Sequence, residues 1–281
     1  MKSNNTAKRI FIFFAVALVI IFLAVHFFPK QTNLPNAVQP VQPVRSEHIF
    51  FGYPSTDCDL LVRTGYVLCY DEKTKVADWA SYHMTEGYLT RHSRRTEDFR
   101  PDSDIPAGKR SELRDYRGSG FDRGHLVPAA DMSRDQETMS ESFLLTNMAP
   151  QTPGLNRGVW KLLEERVRYW VREKRSVYIM VGPLYLGSKE NRNAVPDMIG
   201  PENVAVPTHF FKIVVAGNPS DPTKLKAIAF IMPNTKNPDK DISQYITSID
   251  EIEKLSGFDF MSELDKTAQE KLESKKTEIW N

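Results

Sequence analysis

The chain has 281 residues, of which 41% are hydrophobic and 11% are aromatic. This composition excludes a mainly disordered protein and allows one packed domain with accessory segments. The formal net charge is +1, and without the first 28 residues 34 basic residues remain against 36 acidic ones. Bulk charge therefore does not indicate a nucleic-acid-binding protein, and any attraction to phosphate must be local.

The N-terminus carries an apolar run of 19 residues, 10–28, which follows Lys8 and Arg9 and stops at Pro29. That length crosses the hydrocarbon core of a bilayer, so it predicts a transmembrane helix or uncleaved signal anchor. The preceding positive charges place residues 1–9 in the cytoplasm and the rest of the chain outside. A cleaved signal peptide is the main alternative, and a buried core helix is a weaker one.

Residues 29–47 contain Pro35, Pro40 and Pro43 and show no helical or strand period. Such a segment is typical of a semi-extended linker. We therefore expect the main domain to cover residues 48–264. The remaining residues, 265–281, are highly charged and predict a surface helix or tail.

Cys58 and Cys69 are the only cysteines, too few for a disulfide-rich scaffold or a thiolate zinc site. A single bridge would require an oxidising compartment. Residues 60–70 read as one extended strand, which would hold the two sulfur atoms too far apart. The sequence therefore favours two free or buried thiols.

Apolar and β-branched runs predict further strands at residues 77–84, 177–186, 206–215 and 227–232. Residues 156–175 show three-and-four apolar spacing and predict an amphipathic helix. A second helix is expected from Ser248, capped with the help of Glu251, to Gly257. The lack of regular strand-helix alternation predicts an α+β domain, with a mixed β-sheet core and flanking helices.

The tetrapeptide Asp122-Arg-Gly-His125 ends a stretch that is rich in arginine and interspersed with acidic residues. Taken alone, such a stretch is usually a solvated loop, but arginine also binds phosphate through two hydrogen bonds. His125 has no second metal ligand at close spacing, so a role as general base is preferred over metal binding. A buried structural histidine is the alternative.

Asn156 and Glu164 are eight residues apart, a spacing that places both side chains on one face of an α-helix. Oxygen ligands of this type suit Mg²⁺, with Asn156 as direct ligand and Glu164 acting through water. As alternatives, Asn156 caps the helix and Glu164 pairs with Arg168.

Three longer motifs contain these residues: Arg117-Gly-Ser-Gly-Phe-Asp-Arg-Gly-His125, Phe143-Leu-Leu-Thr-Asn-Met-Ala-Pro-Gln151 and Leu155-Asn-Arg-Gly-Val-Trp-Lys-Leu-Leu-Glu164. They resemble the DNA/RNA non-specific endonuclease family, and residues 204–212 and 231–234 are similar to its endonuclease G branch. The resemblance covers roughly residues 48–264. It implies a ββα-metal (His-Me finger) site, dependence on Mg²⁺ with Mn²⁺ as a substitute, and cleavage within both DNA and RNA.

The resemblance also implies a role for each site residue. His125 matches the general base, Asn156 the direct Mg²⁺ ligand, and Glu164 the residue that holds a water on the ion. Arg123 matches the arginine beside the base, and Asn147 an asparagine that supports the site.

A further arginine that contacts phosphate precedes Asp98 and Phe99 in this family. Arg95 is preferred over Arg94 for this role. The expected partners are the phosphate backbones of DNA and RNA, the membrane through residues 10–28, and a second copy of the chain.

The predicted span differs from the mitochondrial presequence that endonuclease G proteins usually carry. We therefore expect a membrane-anchored protein with its domain on the periplasmic or extracellular side, and the mitochondrial inner membrane or intermembrane space is the alternative. Two functions compete with an endonuclease: a catalytically silent binding module, and an exonuclease of the same fold. A silent module would be expected to lack a catalytic residue, and all of them are present.

Overall fold

A computed structural model describes residues 46–90, 92–187 and 196–280. Its strands are β1 (Asp59–Val62), β2 (Val67–Asp71), β3 (Val76–Thr85), β4 (Asp122–His125), β5 (Met148–Gln151), β6 (Ser176–Leu184), β7 (Met198–Ile199), β8 (Val204–Ala205), β9 (His209–Ala216), β10 (Lys226–Pro233) and β11 (Ile246–Thr247). Its α-helices are α1 (Leu113–Tyr116), α2 (Gln136–Glu141), α3 (Trp160–Lys174), α4 (Ile249–Ser256) and α5 (Lys266–Glu273). The domain is therefore α+β, as the sequence predicted.

A seven-stranded sheet forms the centre of the domain, in the order β1-β2-β3-β6-β9-β10-β11. Every neighbouring pair of strands in this sheet is antiparallel, whereas the sequence predicted a mixed β-sheet. Two further pairs, β4 with β5 and β7 with β8, lie outside it.

Both faces of the sheet are covered, which explains why its strands are apolar runs rather than alternating ones. Side chains alternate between faces along a strand. In β2, Leu68 and Tyr70 join one buried cluster, together with Trp160 and Leu163 of α3. Val67 and Cys69 join the cluster on the opposite face, together with residues of α4.

The prediction of one continuous strand over residues 60–70 is wrong, because β1 and β2 form a hairpin there. Arg63 N donates to Tyr66 O across a tight turn at Thr64 and Gly65. Leu60 lies opposite Cys69, which brings Cys58 beside Cys69 with 5.5 Å between their Cα atoms. The two cysteines form a disulfide, so the expectation of two free thiols is wrong as well.

The predicted membrane span at residues 10–28 and the linker up to residue 45 lie outside the described residues. Among the helices that the structure does describe, none has the length and apolar character needed to cross a bilayer.

The helix predicted over residues 156–175 has two parts. Residues Leu155–Val159 form a π-helical turn, and Gly158, at φ −107° and ψ −116°, separates its geometry from that of α3. Asn156 does not cap the helix, because it lies inside the π-helical turn, where Gly154 is the N-cap residue, and Val159 takes that position for α3. The helix predicted from Ser248 to Gly257 is confirmed: Ser248 Oγ accepts from Glu251 N, and Gly257 ends α4 at φ +79°.

The C-terminal residues pack against the domain. Thr277 Oγ1 donates to Ala227 O in β10. The Trp280 ring lies 5.0 Å from the Trp170 ring of α3, and Trp170 Nε1 donates to Trp280 O. Residues 265–280 therefore help to hold α3 in place.

Replacing Trp280 by alanine should destabilise the domain by about 2 kcal/mol, because a large aromatic contact with buried Trp170 is lost. For a domain of this size, this corresponds to a fall in Tm of roughly 4–8 °C in a thermal melt followed by circular dichroism. Exposed Glu278→Ala is the matched control. An unchanged Tm for Trp280→Ala would show that the contact is not stabilising.

Candidate active site

A hairpin and a helix bring the predicted site residues together. In β4, Gly124 lies opposite Ala149 of β5, and His125 lies opposite Met148. A Cβ atom at Gly124 would collide with the Gln151 side chain, so only glycine permits this approach. The chain then turns after β5 into the π-helical turn and α3. His125 and Asn156 thus lie on successive parts of one strand-strand-helix unit.

One cavity of about 630 Å³ collects most of the predicted residues. Its lining includes Arg95, Arg123, His125, Asn156 and Glu164. The lining does not include Arg94 or Asn147.

Two aromatic rings hold the His125 imidazole. The Phe143 ring meets it edge-on at 5.1 Å between centroids, and the Phe99 ring is tilted against it at 5.7 Å. His125 Nε2 is buried and has no hydrogen-bond partner among the described residues. The His125 ring lines the cavity.

Burial lowers the pKa of His125 to about 3, and the positive charges of Arg95 and Arg123 act in the same direction. The imidazole is therefore neutral at neutral pH and can accept a proton.

The two arginines lie over the same aromatic rings. The Arg123 guanidinium is 4.1 Å from the centroid of the Phe99 ring, and that of Arg95 is 5.1 Å from the Phe143 ring. Arg95 also pairs with exposed Glu97 at 3.2 Å. Both guanidinium groups are exposed and border the cavity, where they can bind an anionic oxygen.

Asn147 lies behind the cavity. It is fully buried, and its side-chain amide accepts from Val127 N and donates to the carbonyl oxygens of Val127 and Ser142. Its own carbonyl accepts from Leu126 N. Asn147 therefore fixes the chain that follows His125 and does not contact the cavity.

Asp122 connects β4 to the π-helical turn. Its Oδ2 accepts from Asn156 Nδ2 at 2.9 Å and from Arg157 Nε at 2.8 Å, and its Oδ1 accepts from Arg157 at 2.6 Å. Burial alone would raise the pKa of Asp122, but these hydrogen bonds lower it below the ordinary value. Because the Asn156 amide nitrogen is bound to Asp122, the amide oxygen is left for a ligand.

Glu164 belongs to α3 and lies beside a buried network of charged and polar side chains. Arg168 does not pair with it; instead Arg168 donates to Asp131 at 2.8 Å, and Tyr82 donates its hydroxyl to the same carboxylate at 2.9 Å. Burial raises the pKa of Glu164 above that of an ordinary glutamate, while Lys212 and Arg168 oppose the rise. Lys212 is itself buried, with its Nζ 4.8 Å from the Trp160 ring centroid.

Sequence reasoning did not assign Asp122, Asp131, Arg157 or Lys212 to the site. For Asp131 and Lys212 the sequence did contain a signal, namely a charged residue next to or within an apolar run. Asp131 follows a Val-Pro-Ala-Ala run after His125, and Lys212 interrupts the apolar residues of β9. Such residues are seldom buried unless they are paired.

The donor set of the cavity suits a hard divalent cation. The Asn156 amide oxygen and the Glu164 carboxylate are both oxygen donors, and the ion pairs among the described residues do not include Glu164, since Arg168 pairs with Asp131 instead. Zinc would prefer nitrogen or sulfur ligands, whereas Mg²⁺ accepts oxygen ligands together with water.

The lowered pKa of His125 should be visible by NMR. In metal-free protein, the side-chain ¹⁵N resonances of His125 should keep the shifts of a neutral imidazole from pH 8 to pH 5, because protonation is displaced to about pH 3. Loss of the signal in His125→Gln assigns it. Titration near the ordinary pKa of histidine would contradict the burial argument.

Comparison with known proteins agrees with this geometry. Residues 45–267 match the family model described as DNA/RNA non-specific endonuclease. Nuclease 1, mitochondrial, of Schizosaccharomyces pombe is 35% identical over 257 residues, which is 87% of this chain and 80% of that protein. Endonuclease G, mitochondrial, of Homo sapiens is 38% identical over 216 residues, which is 75% of this chain and 72% of that protein.

Among solved structures, the EndoG/EndoGI complex, described in terms of the mechanism of EndoG inhibition, contains a similar chain. The TM-score is 0.73 with 31% sequence identity, over 81% of this chain and 96% of the other. The family model and the relatives together cover most of the described domain. The chain therefore belongs to the DNA/RNA non-specific endonuclease family, as its motifs predicted, and is a nuclease.

Proposed function

We propose that this protein hydrolyses phosphodiester bonds within DNA and RNA with the help of Mg²⁺. The observation that carries this proposal is the single cavity lined by His125, Asn156, Glu164, Arg123 and Arg95. These residues supply a base, oxygen ligands for a cation, and two guanidinium groups for phosphate. Contacts of this kind go to the nucleic-acid backbone, which makes tolerance of different sequences the natural outcome.

The chain's own residues perform the proton transfer and hold the substrate. Neutral His125 accepts a proton at Nδ1 from the water that attacks phosphorus. As the bond from phosphorus to the leaving oxygen breaks, that oxygen takes a proton from water in the cavity. Arg123 and Arg95 bind the non-bridging phosphate oxygens and neutralise their charge. Phe99 and Phe143 exclude water from one side of the imidazole and fix its plane.

Asn156 and Glu164 would hold the cation, with Glu164 acting through water, and Mn²⁺ is expected to substitute. A bound divalent cation would supply electrostatic stabilisation to the phosphate as negative charge develops. Asp122 keeps the Asn156 amide oxygen free for this purpose, and the buried Asp131-Arg168 pair fixes the neighbourhood of Glu164.

The disulfide bears on where the protein works. Disulfides persist outside the reducing cytosol, so the Cys58-Cys69 bridge supports a domain in the periplasm, outside the cell or in the mitochondrial intermembrane space. Anchoring through residues 10–28 favours the first two locations. The mitochondrial relatives support the third. Subcellular fractionation with carbonate extraction distinguishes these locations.

Light scattering tests the expected homodimer.

Removing the base should abolish cleavage while leaving binding intact. In a plasmid-nicking assay with Mg²⁺, and with EDTA as the metal-free control, we expect His125→Ala to lower the rate by about 10²–10⁴-fold. Anisotropy of labelled DNA should show near-normal binding. Exposed His92→Ala is the matched control and should cleave normally.

Three outcomes would contradict the proposal. Near-normal turnover by His125→Ala would remove His125 from the base role. Absence of cleavage by the wild-type protein with Mg²⁺ would favour a silent binding module. Degradation of linear DNA without nicking of circular DNA would favour an exonuclease.

Replacing the proposed direct ligand should change the metal requirement. For Asn156→Ala we expect the Mg²⁺ titration of nicking to shift to higher concentration with a lower maximum, because one inner oxygen ligand is lost. Mn²⁺ binding followed by electron paramagnetic resonance should weaken in parallel. Asn237→Ala, an exposed asparagine outside the cavity, is the control. An unchanged titration would rule out Asn156 as a ligand.

A further inference from the structure

A second cavity adjoins the active-site cavity on the side of Arg123. Its volume is about 300 Å³, and it is lined by Leu113, Tyr116, Arg117, Phe121, Asp122 and Arg123. Asp122 and Arg123 also line the first cavity. A substrate strand that reaches Arg123 at the reacting phosphate can therefore continue directly into this space.

The arginines that precede His125 differ in whether a carboxylate neutralises them. Arg100, Arg110 and Arg114 pair with Asp98, Glu112 and Glu202, respectively. Carboxylates within the same domain therefore neutralise the charges of these three arginines.

Arg117 and Arg123 have no carboxylate partner in the part of the chain that the structure describes. Arg123 lies over the Phe99 ring, and Arg117 is exposed. These two guanidinium groups border the same cavity, so their charges are available to a ligand.

The loop that carries Arg117 and Phe121 is held in a defined turn. Ser119 Oγ donates to Tyr116 O at 2.9 Å and accepts from Phe121 N at 3.1 Å. Gly118 and Gly120 adopt φ values of +72° and +83°, which glycine adopts without strain. The turn therefore fixes the backbone that carries Arg117 and Phe121 in the absence of a ligand.

The lining has the chemistry of a nucleotide site. Arginine binds phosphate through two hydrogen bonds in a fixed plane. An aromatic ring stacks on any base, without selecting the sequence. The half-buried Phe121 ring and Leu113 provide apolar walls, and the volume lies at the small end of the range for ligand sites.

We propose that this second cavity binds one nucleotide that flanks the scissile phosphate, with Arg117 on its phosphate and the Phe121 ring against its base. The inference rests on the proposed nuclease function and deepens it. It makes Arg117 and Phe121 binding residues that act on affinity for the strand rather than on proton transfer.

Steady-state cleavage of a short single-stranded oligonucleotide by the full-length protein with Mg²⁺ tests this subsite. Arg117→Ala and Phe121→Leu should each raise KM about tenfold and leave kcat near the wild-type value, because one phosphate or stacking contact is lost. Phe121→Leu retains an apolar side chain and so preserves packing. Arg117→Lys, which keeps the charge, should recover part of the affinity.

Arg172→Ala is the matched control, since Arg172 is an exposed arginine outside both cavities. A KM for Arg117→Ala and Phe121→Leu equal to that of Arg172→Ala would overturn the subsite while leaving the nuclease function intact. A fall in kcat with unchanged KM would also overturn it. If the wild-type protein itself fails to cleave, the proposed nuclease function has failed instead.

Discussion

The Asp122 carboxylate joins the two halves of the candidate active site. It belongs to β4, three residues before His125, yet its hydrogen bonds go to Asn156 and Arg157 at the start of the helical segment. Without this bond the Asn156 amide could rotate, and its oxygen would have no fixed direction. This arrangement is favourable because the Asp122 carboxylate accepts several hydrogen bonds at once, and these bonds stabilise its ionised form.

Burial acts in opposite directions on the two titratable groups of the cavity. It keeps His125 neutral, as the proposed base requires, and it raises the pKa of Glu164, which binding of the proposed cation must overcome. Lys212 and Arg168 place positive charge near Glu164 and favour its ionised form. Lys212 and Arg168 therefore stabilise the ionised form of Glu164 while the Asp131 carboxylate opposes it, and Arg95 and Arg123 disfavour protonation of His125. Both effects need a low-dielectric environment, which the fold creates by packing α3 against the sheet.

Local sequence signals predicted the elements that local forces determine. The apolar strands, the amphipathic helix and the Ser248 and Gly257 caps all follow from periodicity and capping chemistry. The short strands β4 and β5 were not predicted, because four residues such as Asp-Arg-Gly-His show no apolar alternation. The disulfide was missed because the turn at Thr64 and Gly65 lies inside an apolar run. Motifs indicated the residues that face the cavity, whereas the pairing of Asp131 with Arg168 depends on tertiary contacts.

The distribution of charge also determines how this nuclease finds its substrate. Acidic and basic residues nearly cancel over the chain, and several arginines before His125 are already paired. Such a surface generates little long-range attraction, so association with nucleic acid is not strongly accelerated by electrostatic steering. The strand must reach the cleft by diffusion before the free guanidinium groups act on it. Capture of a strand then depends on contacts formed within the cleft rather than on attraction at a distance.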